Sequence, residues 1–284
     1  ASPAGADVLM DEYIIDDSNG NDNGLVDFSE YVMLDVTLEN LGSQTASNVT
    51  ATITTSDALI TIDSDNHSWP DITAGSTSSQ TGAFAFTVAD IIPDQHMAQF
   101  EIEITDGVDT WTGTFFVLLN APVLSFGSYV IDDSNGNNNG RLDPGENADV
   151  IVTNLNDGSC DALNSLATMM SGSPLITFNT TTYDLETIMA GESKDAVFNV
   201  TVDASAAIGE VVVTDYTLES APYSAIGAIS LTIGLVVEDF ETGTFDSYPW
   251  EFSGNADWTI DGSDPYEGDY AAKSGTIGDG QTTS

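Results

Sequence analysis

The sequence predicts an all-β protein: two tandem immunoglobulin-like β-sandwiches followed by a partial jelly-roll-like β segment. Three observations lead to this fold class. Apolar and polar residues alternate in many short stretches, and turn residues recur about every 8–12 positions. The chain also repeats itself, since twelve of eighteen residues are identical between Tyr13–Glu30 and Tyr129–Glu146, which begin 116 positions apart.

The internal repeat sets the predicted domain organisation. With the same spacing, Leu59–Thr61 matches Leu175–Thr177. Further on, the match of Ile104–Asp106 with Val213–Asp215 makes the second copy about seven residues shorter. We therefore expect one sandwich in each copy and a third unit that is too short to form a sandwich by itself. The predicted domains are 1–120, 121–235 and 236–284.

Each predicted strand follows from a period-2 pattern. Val32, Leu34, Val36 and Leu38 alternate with more polar residues, as in a strand with one buried face. Ala148–Val152 repeats this pattern in the second copy. In chain order, the seven strands expected in the first copy are Tyr13–Ile15, 32–39, Ala46–Thr54, Leu59–Ile62, Gly82–Val88, Ala98–Thr105 and Trp111–Leu119.

The repeated segment contains a calcium-type loop between its first two strands. Counted from Asn19 or Asn135, oxygen-bearing side chains fall at positions 1, 3, 5, 9 and 12 and a glycine at position 6, as in an EF-hand loop. Gly24 and Gly140 would permit the sharp bend at that position. The predicted Ca²⁺ ligands are Asn19, Asn21, Asn23, the Leu25 carbonyl, Asp27 and Glu30, and then Asn135, Asn137, Asn139, the Arg141 carbonyl, Asp143 and Glu146.

Two alternatives stay open for these loops. The first ligand is either the asparagine or the preceding aspartate, Asp17 or Asp133, which would bring a further negative charge to a site rich in neutral asparagine. The loops could also be simple Gly/Asn turns with solvated acidic side chains. The recurrence of the whole spacing favours calcium.

Charge is the most unusual property of the composition. The chain has 46 acidic residues against 3 Lys and Arg, a net charge of −43, while its 41% hydrophobic content suffices for packed cores. This charge excludes nucleic acid and anionic membranes as electrostatic partners. Adaptation to a saline, calcium-containing medium explains it better than a specific cationic ligand.

The remaining composition indicates a secreted or cell-surface, extracellular protein. Cys160 is the one cysteine, so no intrachain disulfide is expected and stability must come from cores and metal. No apolar run is long enough to span a membrane, and no signal peptide is visible. Calcium loops of this kind fill best at extracellular calcium levels. We interpret the chain as a mature fragment that has lost its signal.

The Asp-Asp-Ser-Asn-Gly-Asn loops with a downstream Glu resemble those of accessory immunoglobulin-like modules in surface and secreted proteins of Bacteroidetes-type bacteria. The segment from Phe240 through Trp250 and Trp258 to Gly268 is similar to the start of a cleaved-adhesin domain, found after the protease in gingipain-type cysteine peptidases. This resemblance implies a jelly roll, type IX secretion and a structural calcium at Glu241.

No catalytic constellation is expected in this chain. Cys160 lies in a turn and its counterpart in the first copy is Gln44, while His67 and His96 have no counterparts in the second copy. A cysteine peptidase needs a Cys/His pair in a separate catalytic domain. Among the tryptophans, Trp69 and Trp111 are expected in the core, and Trp250 and Trp258 are the candidate sugar-binding residues.

The function expected from these observations is mechanical. The chain would be a non-catalytic, calcium-stabilised spacer that orients neighbouring domains of the same protein. An adhesin that binds a carbohydrate or protein ligand is the first alternative. The second is an accessory segment of a gingipain-type peptidase, as the resemblance implies.

Overall fold

The computed structural model describes residues 5–234, 240–245, 250–265 and 268–284. All regular elements in these ranges are β-strands, which confirms the all-β fold class. The strands, in chain order, are β1 Val8–Asp16, β2 Val26–Asp27, β3 Tyr31–Asn40, β4 Thr50–Thr54, β5 Ile60–Ser64, β6 Asn66–Ser68, β7 Thr77–Val88, β8 His96–Thr105, β9 Thr110–Asn120, β10 Leu124–Asp132, β11 Asn147–Asn156, β12 Ala162–Met170, β13 Ile176–Phe178, β14 Thr182–Ile188, β15 Ser193–Val202, β16 Val211–Ser220, β17 Tyr223–Thr232, β18 Trp258–Asp261 and β19 Ala271–Ser274.

The strands form two pairs of sheets and one small hairpin. Sheet β1-β3-β7-β5 accompanies sheet β2-β9-β8-β4-β6 in the first copy of the repeat. Sheets β10-β11-β15-β13 and β14-β12-β16-β17 do the same in the second copy, and β18 pairs with β19. We call residues 5–120 the first module and 121–234 the second module.

Each module has its own hydrophobic core, built from the alternating strand residues. Along β3 every second residue is buried, and the same alternation runs along β11. One cluster of buried side chains extends from Val8 to Ala121 and the other from Leu142 to Ile233. The period-2 pattern that predicted the strands is therefore the pattern that fills the two cores.

The pairing registers correct the predicted alignment of the two copies. Ile60 pairs with Val88 in the first copy, and Ile176 pairs with Val202 in the second. Corresponding residues are therefore 116 positions apart at Ile60 and 114 positions apart at Val88, whereas the predicted alignment required 109. The alignment of Ile104–Asp106 with Val213–Asp215 was therefore wrong. Ile104, which pairs with Ala51, corresponds to Leu218, which pairs with Ala167.

A bulge in β7 accounts for the two-residue difference. Leu34 pairs with Phe84 and Val36 with Gln80, so four positions of β7 face two positions of β3. At the bulge Gly82 has a positive φ of 58° and donates its N–H to Asp35 Oδ1 at 2.7 Å. The bulge adds two residues to β7, and the side chains of a strand alternate with a period of two. Phe84 and Phe86 therefore still point into the core.

A tyrosine from the first strand of each module reaches the last strand. Tyr13 donates its hydroxyl to the Phe116 carbonyl at 2.5 Å, and Tyr129 donates to the Ser230 carbonyl at 2.9 Å. These carbonyls lie on strands at or near a sheet edge, where backbone groups need partners. The hydroxyls therefore tie the two sheets of each module together.

The third segment forms a small unit around aromatic side chains. Its hairpin joins β18 and β19, and Gly254 forms an isolated bridge with Thr283. The rings of Phe240, Phe245, Trp250 and Phe252 contact one another at centroid distances of 4.8–6.5 Å. Within the segment from Phe240 to Gly268 that carries the resemblance, residues 246–249 and 266–267 lie outside the described residues. Within those residues the chain has no helix long and apolar enough to cross a membrane.

Candidate metal centre

Each of the two calcium-type loops lies beside the C-terminal end of its module. We call Asp17–Glu30 loop 1 and Asp133–Glu146 loop 2. Loop 1 pairs in parallel with the end of β9, through Val26 and Leu119, and loop 2 makes the equivalent bridge between Leu142 and Ile233. Each loop is thereby fixed to the residues that lead out of its module.

Further hydrogen bonds hold each loop to this exit. In the first module Phe28 donates its N–H to the Asn120 carbonyl, and Asn120 donates its side-chain amide to the Val26 carbonyl at 3.0 Å. In the second module Gly234 donates its N–H to the Leu142 carbonyl at 2.6 Å. Each loop is thus hydrogen-bonded to the residue with which the chain leaves its module.

The closing glutamates bind back to the loop in the same way in both copies. Glu30 accepts the Asn21 N–H at Oε1, 3.3 Å away, and the Asp27 N–H at Oε2, 2.9 Å away. Glu146 accepts the N–H groups of Asn137 and Asp143 in the same pattern. Each glutamate therefore holds its loop closed through backbone hydrogen bonds, and its role as a calcium ligand stays a prediction.

The asparagines at the third and fifth predicted positions converge on one aspartate. Asn21 and Asn23 both donate their Nδ2 groups to Asp27 Oδ2, at 2.8 and 2.9 Å. Asn137 and Asn139 donate to Asp143 Oδ2, each at 2.7 Å. The structure thus brings together four of the predicted ligands in each loop, the two asparagines, the aspartate and the closing glutamate.

The sequence left open whether the first ligand of each loop is the asparagine, Asn19 or Asn135, or the preceding aspartate, Asp17 or Asp133. Asp17 is buried and accepts the Gly24 N–H at 2.8 Å, whereas Asn19 is exposed and has no hydrogen bond to the buried carboxylates. In loop 2, Asp133 accepts the N–H groups of Asn139 and Gly140, and Asn135 is exposed. The geometry favours the aspartate.

The predicted carbonyl ligands occupy exposed positions. Leu25 donates its N–H to Asn23 Oδ1 at 2.7 Å, and Leu25 and Arg141 are both exposed. Gly24 and Gly140, just before them, have φ values of 79° and 76°. The sharp bend predicted at these glycines is confirmed, because L-residues with a side chain rarely adopt this conformation.

Two further glycines were not recognised from the sequence as part of the loops. A Cβ on Gly20 would overlap the Glu30 carboxylate, and a Cβ on Gly136 would overlap that of Glu146. Both glycines have ordinary φ values, so their role is to leave space and not to bend the chain. Their recurrence in both copies was the signal that could have identified them.

Loop 1 is more deeply buried than loop 2. Asp17, Asp27 and Glu30 are 3–6% exposed, whereas Asp133 is the buried carboxylate of loop 2 and Asp143 and Glu146 are only half-buried. Burial raises the pKa of Glu30, and repulsion from Asp27 and Asp17 adds to this rise against the hydrogen bonds from the Asp27 and Asn21 amides. Loop 1 therefore holds three acidic side chains close together where little water reaches them.

Two observations support a hard cation at loop 1: a buried carboxylate oxygen with few hydrogen bonds, and side chains that offer oxygen atoms as ligands. In the described residues no group of three or more His, Cys, Asp or Glu side chains has the arrangement of a metal site, so carboxylates alone do not make one. Asp27 Oδ1, however, is buried and accepts no hydrogen bond from within loop 1, and the Cys160 thiol beside this carboxylate is only a weak donor. A buried carboxylate oxygen in this state is costly unless a cation or donor reaches it. Oxygen-rich carboxylate and carboxamide groups suit Ca²⁺.

A cleft separates loop 1 from the second module. Its volume is about 370 Å³, and its second-module wall is formed by Cys160, Asp161 and Leu163. Burial raises the pKa of the Cys160 thiol to about 12, and the neighbouring Asp27 carboxylate adds to the shift. The buried acids of loop 1 are thus covered in part by the other module.

The remaining candidate residues are placed as follows. Trp69 is buried and Trp111 packs against the same core, as predicted. Trp250 is 45% exposed, while Trp258 is partly buried and both line an aromatic cleft of about 290 Å³. Neither histidine pairs with the cysteine: His96 Nε2 lies 2.7 Å from Asp57 Oδ2, and His67 stacks edge-on with Trp69.

Comparison with known proteins identifies no family for this chain. No family model and no curated protein matches the sequence. A protein of unknown function from Porphyromonas gingivalis W83 is 13% identical over 81% of this chain and 99% of its own, with a TM-score of 0.24.

Two further solved structures are similar at the same level. The titin domains Z1Z2, solved in complex with telethonin, are 8% identical over 81% of this chain and 98% of theirs, with a TM-score of 0.31. Red sea bream transglutaminase is 10% identical over 80% of this chain and 31% of its own, also with a TM-score of 0.31. Values this low carry no argument about function.

Proposed function

We propose that this chain is a calcium-stabilised, non-catalytic spacer of an extracellular multidomain protein. The observation that carries the proposal is the repetition of one loop arrangement at the exit of both modules. In each case the loop combines buried or half-buried acids with a parallel pairing to the last strand of the module. A cation there would stabilise both the module and the start of the linker.

The loop residues have distinct roles in this proposal. Asp17, Asp27 and Glu30, with Asp133, Asp143 and Glu146, would supply the negative charge that holds the ion. Asn21, Asn23, Asn137 and Asn139 would supply neutral oxygens once their carboxamides turn from Asp27 and Asp143. Bound Ca²⁺ supplies charge compensation for these buried acids, without which their proximity opposes folding.

Calorimetric titration of the full chain with Ca²⁺ tests the proposal. At the two loops we expect two binding events in the wild type and one in each of Glu30→Gln and Glu146→Gln, which keep side-chain size and remove a charge. The double variant should bind no calcium at either loop. Glu12→Gln, an exposed change on β1, is the matched control and should retain both events. A wild type that binds no calcium, or variants that retain both events, would overturn the proposal.

A second candidate function is carbohydrate binding by the aromatic cleft of the third segment. Phe240, Phe245, Trp250, Phe252 and Trp258 line this cleft, and Trp250 and Phe252 are 45% and 48% exposed. Sugar rings stack on such exposed aromatic faces. Binding of the full chain to a glycan array, lost in Trp250→Ala and retained in Trp69→Phe, would support it; an array without binding would reject it.

A further inference from the structure

The two loops share a sequence pattern but differ in what covers them. Loop 1 faces Cys160, Asp161 and Leu163 across the cleft, and its three acids are almost fully buried. Loop 2 is more open: within the described part of the chain Asp143 and Glu146 are half-buried. The deeper burial of loop 1 thus coincides with its contact to the second module.

A set of polar contacts holds the second module in this position. Asp94 accepts the N–H groups of Ala121, the first residue of the second module, at 2.9 Å and of Ser159 at 3.2 Å, and also the Ser159 hydroxyl. Gln95 donates its side-chain amide to the same hydroxyl at 3.0 Å. One carboxylate of the first module thus binds two separate parts of the second module.

Tyr223 connects this contact to loop 1. It lies at the start of β17, and its hydroxyl accepts the Ile92 N–H at 3.0 Å and lies 3.2 Å from the Ile92 carbonyl. Its ring packs edge-on against Phe28 of loop 1, with centroids 4.9 Å apart. Phe28 stands between Asp27 and Glu30, so the second module contacts the loop between two of its acids. We call the contacts of Phe28, Ile92, Asp94, Ser159 and Tyr223 the junction.

The alignment of the two copies shows that the second module has no equivalents of the junction residues Asp94 and Phe28. With the spacing of 114, Asp94 corresponds to Ile208, which is 63% exposed. Phe28 corresponds to Pro144 at the spacing of 116. The junction is therefore a specific feature of the contact between the first two modules and not a by-product of the shared fold.

We propose that the second module completes the first calcium site, so that calcium binding at loop 1 and closure of the junction are coupled. This inference rests on the proposed function, because it requires that loop 1 bind calcium. Its physical basis is linkage: if closing the junction buries the loop acids, a cation that neutralises them favours the closed form. By reciprocity, an intact junction strengthens calcium binding at loop 1 and leaves loop 2 unchanged.

The binding arm of the test isolates each loop in the full chain. In the Glu146→Gln background, where loop 1 alone is intact, we expect Tyr223→Ala and Asp94→Ala each to weaken calcium binding at least about fivefold, the lower end of typical coupling. In the Glu30→Gln background the same substitutions should leave the affinity of loop 2 unchanged. Tyr183→Ala, which changes an exposed tyrosine on β14 outside the junction, is the control and should alter neither affinity.

The outcomes separate the two proposals. If neither loop binds calcium in the wild type, the proposed function fails and this inference fails with it. If both loops bind calcium and the junction substitutions leave loop 1 unchanged, the inference alone is overturned. Equal weakening of both loops would also overturn it, because the effect would then be a general loss of stability.

Hydrogen exchange provides a measurement that needs no junction variant. The N–H groups of Ile92, Ala121 and Ser159 are bonded across the junction. We expect calcium to slow their exchange in the wild type and in Glu146→Gln, but not in Glu30→Gln. Protection that is insensitive to calcium, or lost equally in both glutamate variants, would contradict the coupling.

Discussion

At the residue scale, the geometry of each loop depends on the space beside its glutamate. Glu30 lies over Gly20 and Glu146 over Gly136, and in each case one carboxylate accepts two backbone N–H groups of its own loop. A side chain on the glycine would therefore displace the acid from its amide partners. The glycines are as necessary to the loop as the acids they accommodate.

Gly20→Ala should separate metal binding from stability. The added Cβ meets the flexible end of Glu30, so the stability in chelator should change little. Calcium binding at loop 1 should weaken by about 1–3 kcal/mol, roughly 5- to 150-fold. Titration and thermal unfolding of the variant test this. Gly172→Ala, where a Cβ meets open space, is the control and should bind as the wild type.

A second residue-scale prediction concerns a buried polar pair in the second module. Tyr216 donates its hydroxyl to Asn154 Oδ1 at 2.7 Å, and both residues are fully buried. Burial raises the pKa of Tyr216 to about 12. In the first module the corresponding residues, Ile102 and Leu38, are apolar and also buried.

Tyr216→Phe should destabilise the second module by about 1–3 kcal/mol, because Asn154 Oδ1 loses its donor in the core. Denaturant unfolding measures this loss. The double variant Tyr216→Phe with Asn154→Leu should regain most of it, since both polar partners are then removed. If the single variant unfolds as the wild type does, the hydroxyl contributes nothing to stability.

At the scale of elements, the bulge in β7 sets how the two copies can differ. Thr81 and Gly82 are the two residues that the first module has and the second lacks. Phe84 pairs with β3 as Phe198 pairs with β11, but β7 has two more residues than β15 before this position. Because the side-chain period of a strand is two, a two-residue change preserves the buried face. A one-residue change moves every following side chain to the other face.

Deletion of Thr81 together with Gly82 should therefore be tolerated, with a loss of about 1 kcal/mol or less on the scale of an ordinary substitution. Deletion of Gly82 alone should unfold the first module, since Phe84 and Phe86 leave the core at about 3–5 kcal/mol each. Thermal unfolding of the two variants compares them directly. Equal stability of the two deletions would contradict the register.

At the scale of the whole molecule, repulsion among the acids opposes folding. The net charge of −43 lies mostly outside the two loops, so calcium bound there would compensate only a small part of it. The Debye length falls from about 30 Å at 0.01 M to about 3 Å at 1 M salt. Salt should therefore stabilise this chain beyond the effect of calcium.

Unfolding in saturating calcium should show this dependence. We expect the midpoint of thermal unfolding to rise markedly between 0.01 M and 1 M NaCl. Sucrose, which favours burial without screening charge, is the control and should give a smaller gain. A midpoint that does not respond to NaCl would mean that the acids are already compensated within the fold.

Much of the fold could be predicted from the sequence because the signals are local. Alternation along Tyr31–Asn40 and its repeat indicated strands that the structure confirms, and the fold class follows from them. The copy alignment failed late in the chain because a three-residue match, Ile104–Asp106 with Val213–Asp215, resembled the true register by chance. Only strand pairing reveals the bulge that restores the correct spacing.

The candidate site was predictable in part for the same reason. The spacing identified Asp27 and Glu30, which the structure brings together, but it did not decide between Asp17 and Asn19. The contact of Tyr223 with Phe28 could not be predicted, because it depends on how two modules approach each other over a long stretch of chain. Steric roles such as that of Gly20 likewise need a folded neighbour.

The measurement that tests the central claim most directly is thermal unfolding of the full chain in calcium and in excess chelator. A cation at 100 times its dissociation constant contributes about 2.7 kcal/mol per site. The wild type should therefore melt several degrees higher in calcium, Glu30→Gln and Glu146→Gln should each lose part of this gain, and the double variant should lose it. Identical melting of the wild type in calcium and in chelator would contradict the claim that these loops are calcium sites.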